Sequence, residues 1–136
     1  MKLLAIDHGE KRMGIAANDA LGMMAHPLEF IPTVPFDAFL KRLKEILVER
    51  ETEQIIVGMP RNMDGSKGSQ ALKVEDFVAV LKMSVTVPVR TWDERLTTVM
   101  AEDKLREAGV NVRDAKKKVD AAAAAVMLQD YMDSFS

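Results

Sequence analysis

Apolar and polar positions follow two different periods along the chain. Residues 2–7 are a short apolar run that closes on an acid, the pattern of a buried strand. Gly9 and Glu10 supply turn chemistry, and residues 12–18 predict a second strand returning as a hairpin. Residues 23–31 predict a third strand, in which Pro27 favours an edge position or a break. The period then changes. Phe36, Phe39, Leu40, Leu43, Ile46 and Leu47 recur at helical spacing with charges between them, which predicts an amphipathic helix over 36–50.

The Ile-Ile-Val run within 54–59 stops at Gly58 and Pro60 and predicts a buried strand after a crossover helix. Residues 61–69 carry Asn, Asp, Gly and Ser in loop-forming density. Val74, Phe77, Val78 and Leu81 mark another helix, 87–92 a further strand, and 96–108 a further helix with Gly109 as its C-cap. A last helix starts near Asp114, runs through Ala121–Ala125 and ends at about Met132. Three early strands followed by alternating helix and strand predict an α/β fold, a mixed sheet with helices on its faces.

Composition narrows the function classes. A chain of 136 residues, 48% hydrophobic, suits one compact domain over 1–136 with a real core. With no cysteine there is no disulfide framework, zinc-thiolate site or cysteine nucleophile, which fits a reducing, cytoplasmic setting. The apolar start is too short for a signal peptide, and the longest later apolar run, 121–128, is too short to cross a bilayer. A net charge of −2 gives no global attraction for nucleic acid, so any such binding rests on local patches.

Three places carry acids where chemistry can use them. Asp7 ends the first strand, at the carboxyl edge where α/β sheets place their sites, and Gly9 beside it permits close approach of a ligand. An ordinary hairpin with a charged tip accounts for this segment equally well. Asp93 and Glu94 end the last strand before Arg95, and Thr97 or Thr98 can cap the helix that follows. Pairing with Arg95 accounts for one of these acids, less well for both. Asp120 shares a helical face with Ala123, Ala124 and Met127, where a buried carboxylate needs a partner or a cation; at the rim it would instead meet Lys116 or Lys117.

If these ends converge, three or four carboxylates share one pocket and repel one another unless a cation is present. Oxygen donors suit Mg²⁺ or Mn²⁺, and two such ions about 4 Å apart can hold a phosphodiester, activate water and stabilise the leaving oxygen. Cations lie close by. The loop after residue 58 offers Arg61, Asn62, Ser66 and Lys67, although its glycine spacing is not that of a Walker A loop. Residues 104–118 hold six cations, Lys117 and Lys118 among them, against two anions, a patch able to hold phosphates or simply a solvated helix face. Trp92 reads as core rather than as a stacking platform, His26 as structural, and His8 as a neighbour of the site.

Four motifs occur in order: Asp7-x-Gly9-x-Lys11-Arg12-x-Gly14; Gly58-x-Pro60 with Asn62-Met63-Asp64-Gly65-Ser66; Asp93-Glu94-Arg95-Leu96-Thr97-Thr98; and Val119-Asp120-x-x-Ala123-Ala124 through Leu128-Gln129. Together they resemble the YqgF/RuvX family over nearly the whole chain. The family is similar to RuvC-type Holliday junction resolvases, and its members are regarded as nucleases that process the 5′ end of precursor 16S ribosomal RNA or as junction resolvases. The resemblance implies a ribonuclease H-like fold with a mixed five-stranded sheet, and a metal site made by Asp7, Asp120 and an acid of Asp93-Glu94. Glu94 is preferred for its reach. It also implies Arg12, Arg61 and Arg95 as substrate or structural contacts. Its expected partners are structured RNA, branched DNA or ribosomal precursor particles, met by a monomer or homodimer. Two positions depart from the pattern: His8 stands where a small or apolar residue is usual, and Asn18-Asp19 replaces Ser-Asp.

Other classes compete with the nuclease. A structure-specific DNA resolvase shares its metal chemistry. A sugar kinase or actin-like ATPase also opens on a strand ending Asp-x-Gly, but needs two such domains and a second phosphate loop, for which the chain is too short. A binding module that has lost its chemistry would have no need of all the proposed acids.

Overall fold

The computed structural model describes residues 1–60, 66–93 and 112–134, with side chains left out over 112–121. Five strands form one mixed sheet: β1 (Leu3–Asp7), β2 (Arg12–Asn18), β3 (Ala25–Pro32), β4 (Gln54–Met59) and β5 (Val89–Asp93), in the order β3-β2-β1-β4-β5. The first three are antiparallel neighbours, whereas β4 and β5 run parallel to β1. Three helices are described: α1 (Phe36–Glu49), α2 (Ser69–Ser84) and α3 (Val112–Asp133). Pro27 falls on the edge strand, next to a register shift opposite Ile15 and Ala16, where its missing N–H does no harm. α2 begins five residues before Val74: its first turn has only the small Ala71 buried, with Ser69 and Gln70 polar and Leu72 exposed, a pattern that apolar periodicity registers weakly. The helix expected over 96–108 lies outside the described residues.

Alternation along the strands divides the core. Leu4 and Ile6 of β1 join Ile15, Ile55 and Val57 beneath Phe39, Leu43 and Ile46 of α1 and Val74, Phe77 and Leu81 of α2. Leu3 and Ala5 face the other way, with Ala16 and Ile56, beneath Ala124, Met127, Leu128 and Tyr131 of α3. Each fully buried Leu, Ile or Phe contributes about 1.5–3 kcal/mol of transfer free energy. The Lys2–Glu51 bridge at 2.6 Å is exposed and screened by solvent, so the two apolar layers hold the fold.

Asn18 has a structural part that follows from its burial. Its Oδ1 accepts from the Leu3 N–H at 2.9 Å and its Nδ2 donates to the Met1 carbonyl at 2.7 Å, which pins the start of β1 to the end of β2. Asp19 then turns the chain: its Oδ1 accepts from the Met23 N–H at 2.8 Å, and Gly22 takes a φ of 69° that favours glycine. Those backbone bonds hold the Asp19 carboxyl below its ordinary pKa. Among the described residues no helix is long and apolar enough to cross a membrane.

Candidate active site

Register aligns one row of residues across the carboxyl end of β1. Asp7 pairs with Gly14, which pairs with Phe30; on its other side Asp7 is level with Gly58, which pairs with Trp92. On this face the half-buried Asp7 is therefore flanked by two residues that have no side chain, with aromatic rings at either end of the row. Among the described residues, neither strand neighbour in this row puts a side chain beside the carboxylate, which leaves room for close approach of a phosphate group. Arg12, at the mouth of β2, lies with its guanidinium 5.3 Å from the centroid of the Phe30 ring, at one end of the row.

α3 brings the third acid's position to the same end. Its late residues lie over the start of the sheet: Gln129 accepts from the Ala25 N–H at 2.9 Å, and Tyr131 and Met132 line a cleft with Met1 and Leu3. The helix therefore runs back along β1 toward Asp7. At 1.5 Å per residue, position 120 stands about 16 Å up the axis from Tyr131, and Asp7 stands about 13 Å up β1 from Leu3, so both lie toward the same end of the sheet. Position 120 is one turn before Ala124 on the face where Ala123, Ala124 and Met127 are buried against the sheet. The run of alanines lets this helix lie close.

Alternation fixes the face of Asp93, the acid that ends β5. Val89 belongs to the core under α1 and α2, whereas Trp92 packs with Tyr131 under α3. Asp93 has the parity of Val89 and Thr91, so it falls on the face opposite to Asp7. Trp92 is half-buried and its indole N–H donates to Asp130 at 3.2 Å, a structural part rather than an open stacking platform. Among the described residues no three His, Asp or Glu side chains converge as a metal cluster. Glu94, Arg95, Arg61 and Asn62 lie outside the described residues, and Lys117 and Lys118 are placed on α3 by backbone alone.

The loop that carries Asp7 is braced from behind. A Cβ added at Gly9 would stand 2.3 Å from the Arg12 carbonyl oxygen, so the hairpin closes only around a glycine. Thr33 donates its hydroxyl to the Gly9 carbonyl at 2.7 Å, and its N–H bonds the Lys11 carbonyl at 3.0 Å. His8 turns to the α2 side, with its ring 5.1 Å from Phe77 and its Nδ1 3.5 Å from the Gln70 amide nitrogen. Burial is the main reason its pKa is lowered, which keeps the imidazole neutral. Lys73 pairs with Glu10 and holds that carboxyl below its ordinary pKa. The sequence reading missed this bracing face of α2. Its signal is the spacing of Gln70, Lys73 and Phe77 along a helix whose polar first turn the apolar pattern overlooked.

A family model described as "RuvX: Holliday junction resolvase" matches residues 1–134. A protein of Desulforamulus reducens named "Putative pre-16S rRNA nuclease" is 44% identical over 134 residues, covering 98% of each chain. One of Halothermothrix orenii with the same name is 43% identical, covering 98% of this chain and 95% of its own. Among solved structures, T. thermophilus RuvC in complex with a Holliday junction substrate aligns with a TM-score of 0.59 at 18% identity, over 99% of this chain and 96% of its own. The Fowlpox virus resolvase with its junction DNA aligns at 0.57 and 13%, over 99% of each. These alignments identify the fold as that of RuvC-like resolvases, which is ribonuclease H-like.

Proposed function

Since the chain belongs to the RuvX family, whose description is Holliday junction resolvase, we propose that it is a metal-dependent endonuclease that hydrolyses phosphodiester bonds in the 5′-end processing of precursor 16S ribosomal RNA. One observation carries the reading. Asp7 stands between Gly14 and Gly58 at the carboxyl end of β1, on the face of the sheet that α3 covers. The donors are all carboxylate oxygens, which fits Mg²⁺ or Mn²⁺ and not a zinc site.

In this reading Asp7, Asp120 and Glu94 hold the ions. Glu94 is assigned over Asp93 for its reach, and because Asp93 has the parity of Val89, on the face opposite to Asp7. When bound, the ions lower the pKa of water and offset charge on the phosphate. The chain's own groups do the rest. The glycine-flanked trough admits the sugar-phosphate strand beside Asp7. Arg12, Arg61, Asn62, Arg95, Lys117 and Lys118 are the proposed contacts to phosphates and sugars, which fix register but not sequence. Water adds in line to phosphorus, the bond to the 3′ oxygen breaks, and that oxygen leaves with a proton, giving a 5′-phosphate and a 3′-hydroxyl.

Junction resolution by the same site is the second reading, favoured by the family description. Both are tested by offering a labelled precursor rRNA fragment and a four-way DNA junction with Mg²⁺, Mn²⁺ or EDTA. The expected outcome is metal-dependent cutting of the RNA that falls by at least about 100-fold in Asp7→Asn. Symmetric cutting of the junction alone would transfer the assignment to resolution. Cutting that persists in EDTA or in Asp7→Asn would contradict the site.

A further inference from the structure

The amino ends of β1 and β4 hold a cleft that the proposed nuclease site does not use. It measures about 420 Å³, and Leu3, Gln54, Arg90, Tyr131 and Met132 are among its walls. That size falls within the roughly 300–1,000 Å³ of small-molecule sites. Leu3 pairs with Gln54 where the two strands begin, so the cleft lies at the end of the sheet opposite to Asp7. Strand parity explains why these residues meet. Gln54 has the parity of Ile56, and Arg90 is level with Ile56 on β5, so both stand on the face that α3 covers. Tyr131 and Met132 close that face from the end of α3.

Gln54 departs from its surroundings. Leu3, Ile56 and Tyr131 on the same face are buried in the core, and an apolar side chain at 54 would complete their layer. The amide that stands there instead is buried, with 7% of the residue exposed, and its Nε2 has no hydrogen-bond partner. Such donors are rare in folded proteins, because the group has given up water and gained nothing in return. Asn18, the other amide on the cleft, is fully engaged: its Oδ1 accepts from the Leu3 N–H and its Nδ2 donates to the Met1 carbonyl. Gln54 therefore has an N–H to offer to a molecule in the cleft. Arg90 adds further donors, being exposed and without an ion-pair partner among the described residues. Among the described residues that line the cleft there is no Asp or Glu.

We propose that this cleft binds a carboxylate carried on a compact apolar group. The planar guanidinium of Arg90 matches the two oxygens of a carboxylate, and the Gln54 N–H satisfies a further lone pair. Leu3, Tyr131 and Met132 receive the apolar body. A phosphate monoester fits less well, because its three acceptor oxygens and nearly two charges need more donors than one guanidinium and one amide supply. Both donors are already in place, so binding asks for no rearrangement of the sheet. The inference does not depend on the chain's being a nuclease.

The experiment is an NMR titration of the full, isotope-labelled chain with hexanoate, phenylacetate and N-acetyl-leucine, beside hexanol as the uncharged control. It is repeated on Gln54→Leu and Arg90→Gln, with urea unfolding of each variant. We expect saturable shifts at Leu3, Met132 and the Gln54 side-chain amide, with a Kd of about 1 mM or below for at least one acid. Gln54→Leu should weaken binding by about fivefold or more while its urea midpoint holds or rises, since it removes an unpartnered buried donor. Arg90→Gln, at an exposed position, should weaken binding by about tenfold or more and decides the question alone if Gln54→Leu does not fold. Preference for N-acetyl-leucine would identify the source as the end of a peptide chain, and preference for the other two as a free acid. No saturable binding of any acid up to about 20 mM would overturn the proposal. So would shifts that map away from the cleft, hexanol binding as tightly as hexanoate, or an affinity unchanged in Arg90→Gln.

Discussion

Gly9 and His8 flank the turn that positions Asp7, and each makes a separate prediction. A side chain at Gly9 meets the Arg12 carbonyl at 2.3 Å, and this backbone atom cannot swing aside. Gly9→Ala should cost about 1–3 kcal/mol, read as a lower urea midpoint at unchanged m-value. An unchanged midpoint would mean the hairpin is not closed as described. His8 is held neutral by burial, so its folded pKa lies below the ordinary value of about 6.5. The stability it contributes is complete above that value and is lost as pH falls through the lowered folded value, because the unfolded chain then binds more protons. In metal-free buffer, thermal midpoints should therefore fall on going from about pH 7 to about pH 5.5. They should fall less in His8→Phe, which keeps a ring on Phe77. Equal slopes would show that His8 is not buried.

At the scale of elements, the sequence disclosed what apolar periodicity can encode. The short runs of β1, β2 and β4, buried on both faces, and the helical spacing of α1, buried on one, each appear where the pattern put them, because burial dictates both pattern and structure. Two things were not legible. At the start of α2 only the small Ala71 reaches the core, while Gln70 and Lys73 face the hairpin, so the apolar periodicity is weak there. The opposed directions of Asp7 and Asp93 depend on the register of β4 against β5, which no local pattern states. The alanine run of α3 was legible as a thin helix, and its consequence is testable. Ala124 is fully buried between helix and sheet, so Ala124→Leu should overpack that layer and cost about 1–3 kcal/mol in urea unfolding. A neutral result would place the helix farther from the sheet.

For the whole molecule, the division of the core into two layers also divides its tasks. The layer under α1 and α2 supplies most of the large buried side chains and braces the hairpin. The layer under α3 is lined by smaller residues and opens, at the carboxyl end of β1, into the glycine-flanked trough beside Asp7. A cleft of about 420 Å³ lined by Leu3, Gln54, Arg90 and Tyr131 lies at the opposite end of the sheet, so the proposed chemistry is away from that cavity. The acid set is the point at which sequence, parity and fold meet. The most direct test is therefore the single-turnover cleavage rate of the precursor RNA fragment in Mg²⁺ for the wild type, Asp7→Asn, Glu94→Gln and Asp93→Asn. The account predicts losses of at least about 100-fold for Asp7→Asn and Glu94→Gln, and a rate within about fivefold of wild type for Asp93→Asn. A loss in Asp93→Asn as large as in Asp7→Asn, with Glu94→Gln still active, would contradict it.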